Sequence, residues 1–133
     1  MLDEKLVELL NDQVNKEFYS AYLYLSMANY YNEEGLSGFG NWFTIQAQEE
    51  RDHAMLFLEY LQNNGAHVEL KTVEAPKKKF KEFKDPLDES LKHERYVTAS
   101  IHNIYAAASK VKDFRTMQLH KYYVWKQIGR AHV

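Results

Sequence analysis

The sequence predicts an all-α protein, a four-helix bundle in which a long crossover joins the second and third helices. Three observations lead there. Residues 3 to 34 contain neither Gly nor Pro, and apolar or half-apolar side chains recur along them every three or four positions. The same period returns in three later stretches. Between the second and third of the four, residues 66 to 84 lose it altogether. A period near 3.6 marks one face of a helix. A long loop inside a compact domain is uncommon, and parallel neighbouring helices can be joined only by a chain that travels a full helix length.

The first helix, about residues 3–34, carries Leu6, Leu10, Gln13, Glu17, Ala21, Tyr24, Ala28 and Tyr31 on one face. At about 1.5 Å per residue it runs roughly 45 Å, and Gly35 ends it. The second, about 38–64, aligns Phe39, Phe43, Gln46, Glu50, His53, Phe57 and Leu61 before Asn63-Asn64-Gly65 stops it. Val68, Leu70 and Val73 then alternate as an extended chain lying on a surface would. Asp85-Pro86 reads as an N-cap followed by proline at the first helical position. It opens a third helix, about 86–111, with the stripe Leu87, Leu91, Glu94, Thr98, Ile101, Tyr105 and Ala108. Asp113 caps the fourth, about 113–128, with Phe114, Met117, Val124 and Ile128 facing inward. Gly129 makes that helix short. The 133 residues are read as one domain.

Composition narrows the chemistry. With no cysteine, the chain has no disulfide, zinc finger or thiolate cluster, so a metal site must use His and carboxylates. A net charge of −2 offers no electrostatic footprint for nucleic acid. The N-terminal MLDEKLVELL lacks a basic segment ahead of an apolar core, unlike a signal peptide. No apolar run approaches the roughly 18 residues of a membrane span. The cytoplasm is the expected compartment.

The informative residues interrupt the apolar stripes. Glu17 sits in the middle of the first, Glu50 and His53 in the second, and Glu94 in the third. Burying an ionised carboxylate costs several kcal/mol unless a partner or a cation neutralises it. Glu50 and His53 are three residues apart and project from one helix face. An antiparallel first pair of helices would bring Glu17 to their level. Oxygen and nitrogen ligands without sulfur suit iron or manganese, and less selectively zinc. Inward-projecting Glu and Glu-x-x-His residues form the known di-iron template of helical bundles, and the spacing matches it. Tyr24, two turns beyond Glu17, is either a core aromatic or a partner of a metal ligand. Glu49 is either an exposed acid or a ligand of a third, weaker cation. His67, His93, His102, His120 and His132 read as ordinary surface or core histidines.

The segments NKEFYSAYLYLSMA, NWFTIQAQEERDHAMLFLEYL and LDESLKHERYVTASIHNIYAAA resemble bacterial non-haem ferritins, over roughly residues 1–118. The resemblance implies a ferritin-like bundle, a ferroxidase that stores iron, and a di-iron centre as its cofactor. One ferrous ion would lie at Glu17, Glu50 and His53. A second would share Glu50 and use Glu94, with Gln127 beside the pair. Dioxygen or peroxide would be the oxidant, and the ferric product would mineralise inside a hollow 24-subunit shell.

The C-terminal sequence departs from the family, which continues helix four with glutamates and adds a short fifth helix. Here the chain reads Trp125-Lys126-Gln127-Ile128-Gly129-Arg130-Ala131-His132-Val133. Cations where acids are expected oppose metal binding at the second site. They motivate an alternative, a truncated, catalytically weak metal-binding bundle. A purely structural role, with the acids paired to Arg51, Lys16 or Arg95, is the third reading.

Overall fold

The computed structural model describes the backbone of residues 1–131 and the side chains of residues 1–126. It contains four helices in the order α1 (Glu4–Glu33), α2 (Ser37–Asn63), α3 (Lys84–Lys110) and α4 (Phe114–Ala131). Asp3 caps α1 by accepting the Lys5 N–H at 2.9 Å. After α1, Leu36 N–H reaches Tyr31 O at 2.8 Å and Gly35 N–H reaches Asn32 O at 3.1 Å. Ala66 and Gly65 repeat those two bonds onto Leu61 O and Gln62 O after α2. This double return satisfies the last carbonyls only if the residue between is left-handed. Gly35 and Gly65 supply φ values of 76° and 68°. Lys112, at φ 57°, fills the same position after α3 without the freedom of a glycine.

The tight turn at Gly35 folds α2 back antiparallel on α1. The connection over residues 64–83 then climbs the whole length of α1. Asn11 pins its start, donating to His67 O at 3.0 Å and accepting Glu69 N–H at 2.8 Å. Asn15 donates to Thr72 O at 3.1 Å. At the far end Phe80 packs on Tyr30, and the Tyr31 hydroxyl donates to Phe83 O at 2.6 Å. The chain therefore enters α3 beside the C-terminus of α1, and α3 runs parallel to α2. The crossover expected from sequence is present. α3 packs on α1 and on α4, and side chains such as Tyr60, whose hydroxyl meets Thr116 Oγ1 at 2.8 Å, join α2 to α4.

Five expectations need correction. Asp85 lies inside α3, whose first residue is Lys84. Its carboxylate reaches back to accept the Lys81 and Glu82 N–H groups, each at 2.9 Å. Those bonds stabilise the anion and hold its pKa below the usual carboxylate range. The α3 stripe is also rotated. Leu87, Leu91 and Thr98 face solvent, whereas His93, Val97, Ser100, Ile101, Ile104 and Ala108 are buried. In α4, Phe114 is 69% exposed, and among the described side chains the buried ones are Thr116 and Tyr123. Phe39, assigned to the inner face of α2, is likewise exposed and stacks in an aromatic group with Tyr31 and Phe83. Helix four continues past Gly129 to Ala131. The Ile128 and Gln127 side chains lie outside the described residues.

Two apolar clusters form the core. One gathers Leu6, Leu10, Val14, Phe57, Leu61, Val97, Ile101, Ile104, Ala108 and Tyr123. The other gathers Leu23, Tyr24, Met27, Ala28, Tyr31, Phe43 and Ala47. On α1 the first cluster ends at Val14 and the second begins at Leu23; on α2 they leave residues 48–56 between them. That gap in the middle of the bundle is where the polar residues sit. Among the described residues, no helix is long and apolar enough to cross a membrane.

Candidate metal centre

Helical geometry alone brings Glu17 into the gap, because it follows Leu6, Leu10 and Gln13 at intervals of three and four on the buried face. Glu50 and His53 reach it from α2 on the same principle. One ligand atom from each of Glu17, Glu50 and His53 lies within 4.8 Å of the other two. Their exposures are 0%, 1% and 5%. His53 Nδ1 stands 3.3 Å from Glu50 Oε2 and 3.9 Å from Glu17 Oε2.

The two Glu17 oxygens differ. Oε1 accepts from Gln13 Nε2 at 3.0 Å and from the Tyr123 hydroxyl at 3.1 Å. Oε2 is buried and receives no donor. The Glu17 and Glu50 carboxyl groups lie close together, and a hydrogen bond between them requires a shared proton. Burial first, and the Glu50 charge second, push the Glu17 pKa well above its usual value. A proton or a cation would relieve both causes. A divalent ion does so best, because it satisfies the orphaned oxygen and neutralises two carboxylates together. The donor set of two carboxylates and an imidazole therefore fits a first-row transition ion.

Glu94 is outside this group of three. It is half-buried on α3, and its Oε1 accepts the Tyr24 hydroxyl at 2.5 Å. Tyr24 is thus both a buried core aromatic and the partner of an acid. Glu49 is half-buried and does not join the three ligands. Of the histidines read as ordinary, His93 is buried beside the site's outer edge, edge-on to Tyr24 with ring centroids 6.0 Å apart. Ser20 Oγ already donates to Lys16 O at 2.8 Å, so at its 2.6 Å contact with His93 Nε2 it accepts, and Nε2 carries the hydrogen. Burial lowers the His93 pKa, against the opposing pull of the Glu94, Glu50 and Glu89 charges.

Gln13 and Tyr123 escaped the sequence reading as functional residues. Gln13 could have been found, because it precedes Glu17 by one turn and is polar on a buried face. Tyr123 could not, because its position depends on the rotation of α4.

Comparison with known proteins gives the family. The chain matches the ferritin-like domain family over residues 7–131. It is 39% identical over 127 residues to the bacterial non-heme ferritin of Campylobacter jejuni, covering 96% of this chain and 76% of that protein. Against the bacterial non-heme ferritin of Staphylococcus aureus the identity is 37% over 128 residues, covering 96% and 77%. The open pore ferritin from the hyperthermophilic archaeon Archaeoglobus fulgidus superimposes with a TM-score of 0.93 at 41% identity, covering 98% of this chain and 80% of that one. With the crossover bundle, the buried Glu-x-x-His pair and these similarities in hand, the chain belongs to the ferritin-like domain family.

Proposed function

We propose that this protein stores iron, taking ferrous iron at Glu17, Glu50 and His53 and promoting its oxidation to the ferric state. The observation that carries the proposal is the buried, donorless Glu17 Oε2 in a carboxylate that, with Glu50 and the His53 imidazole, brings three ligand atoms within 4.8 Å of one another. Iron is the substrate and each ferrous ion gives up one electron to dioxygen or peroxide. The redox chemistry belongs to the metal. The protein's part is geometric and electrostatic. Gln13 and Tyr123 fix Glu17 through Oε1 and so leave Oε2 for the metal. The two apolar clusters exclude water and strengthen the carboxylate field. Two carboxylates in a dry setting stabilise the more highly charged ferric product over the ferrous substrate, with the His53 imidazole as a further ligand.

A second ion would share Glu50 and use Glu94, which Tyr24 orients through their hydrogen bond. Glu49 and Gln127 are further candidate ligands of that extended di-iron centre. Self-association into a shell is proposed from the resemblance to ferritins.

The test is anaerobic titration of the metal-free protein with ferrous iron, followed by air. Ferric absorbance should develop rapidly in the parent and drop at least about tenfold in rate in Glu50→Ala and His53→Ala, the usual scale for lost metal-site groups. Equal rates in parent and variants would remove the site assignment. Counting bound ferrous ions separates one site from two, and a single ion with slow oxidation would favour the weak metal-binding bundle.

A further inference from the structure

Away from Glu17, Glu50 and His53, a groove of about 650 Å³ opens between α1, α3 and the crossover connection. That volume falls within the roughly 300–1,000 Å³ of small-molecule sites. Its floor is aromatic. The His93 ring, anchored by Ser20, lies with its centroid 5.9 Å from Tyr19 on one side and 5.9 Å from Tyr96 on the other. Its rim is basic. Lys16 comes from α1, Lys77 and Lys78 from the connection, and Lys92 from α3. Against these four lysines stand Glu74 and Glu89, and Glu89 is engaged by Lys78 at 3.5 Å. A local excess of positive charge on a chain of net charge −2 is a departure from its average surface. Lys16 lies over the Tyr96 ring at 5.6 Å, which places cation and ring together on one wall.

We infer that this groove binds a planar heteroaromatic ring carrying phosphate, a ligand of the nucleotide class. Tyr19 and Tyr96 offer the ring faces on which such a ring stacks. Lys77 and Lys92, arriving from separate elements, supply point charges for the phosphate. A purely apolar ligand would leave the lysines without a role, and a bare anion would leave the rings without one.

Flavin mononucleotide is a suitable probe, since stacking on tyrosine quenches its fluorescence. Titrated into the whole protein at low salt, it should show saturable quenching that ADP reverses. Riboflavin, without the phosphate, should bind at least about fivefold more weakly, and raised salt should weaken the flavin mononucleotide in the same direction. Tyr96→Leu, and separately the double change Lys77→Glu with Lys92→Glu, should each reduce affinity about tenfold, the factor that roughly 1.4 kcal/mol represents. These side chains are exposed, so melting temperature and iron oxidation should stay at parental values in both variants. No saturable binding of flavin mononucleotide or ADP would overturn the inference. So would affinity unchanged in both variants, or inorganic phosphate competing as well as ADP.

Discussion

Replacing Glu17 by glutamine should stabilise the metal-free protein at neutral pH, and the gain should grow with pH. Glutamine keeps the shape. Its carbonyl can still accept from Gln13 and Tyr123, and its amide can donate to Glu50 where Oε2 now has no donor. Glu17 has a usual pKa of 4.5 and a folded value well above it. In the interval between them the native state holds a proton that the unfolded chain has released. The stability contributed by protonated Glu17 is thus complete below the unfolded value and lost as pH rises through the folded one. For one proton the slope is at most about 1.4 kcal/mol per pH unit. Across that interval the variant should gain steadily on the parent, because glutamine brings no charge into the buried site. Urea denaturation of both proteins with chelator present, at steps between about pH 5 and 8, measures the difference directly. A divalent ion should reverse the order. At a hundredfold excess over its dissociation constant, it would stabilise the parent by about 2.7 kcal/mol and the variant far less. Two stability curves that run parallel with pH, with no separate response to metal, would refute the assignment of Glu17 as a strained, cation-seeking carboxylate.

Other outcomes follow from the same contacts. Tyr123→Phe removes the hydroxyl donor to Glu17 Oε1 and should cost about 1–2 kcal/mol at high pH, less as falling pH protonates Glu17; equal cost at both ends of the pH range would deny that the bond serves the anion. Asn11→Ala severs both ties to the connection, at His67 and Glu69, and should cost about 1–3 kcal/mol in denaturant unfolding while speeding proteolysis near Val68. An unchanged digestion pattern would mean that the aromatic contacts at the far end hold the connection alone. Gly35→Ala meets open space, so its penalty is purely that of φ 76° and should be about 1–2 kcal/mol by thermal melting.

Sequence by itself determined the fold class and the meeting of Glu17, Glu50 and His53. The stripe of α1 is unbroken from Leu6 to Tyr31, and every residue assigned to it is buried. Glu50 and His53 sit one turn apart whatever surrounds them, and level-matching across a tight antiparallel turn brings Glu17 alongside. These relations are local or fixed by helix length, which is why they survive without coordinates. The rotations of α3 and α4 are another matter. Tyrosine, threonine and exposed leucine make both faces of these helices half-apolar, so periodicity cannot choose between Leu91 and His93, or between Phe114 and Tyr123. Packing against α1 and α2 makes that choice. Only the tertiary structure therefore gave Glu17 its Tyr123 donor, paired Tyr24 with Glu94, and set His93 under a lysine-rimmed groove. Each depends on contacts between residues more than fifty positions apart or on a helix's rotation about its own axis, and neither quantity is written in a one-dimensional pattern.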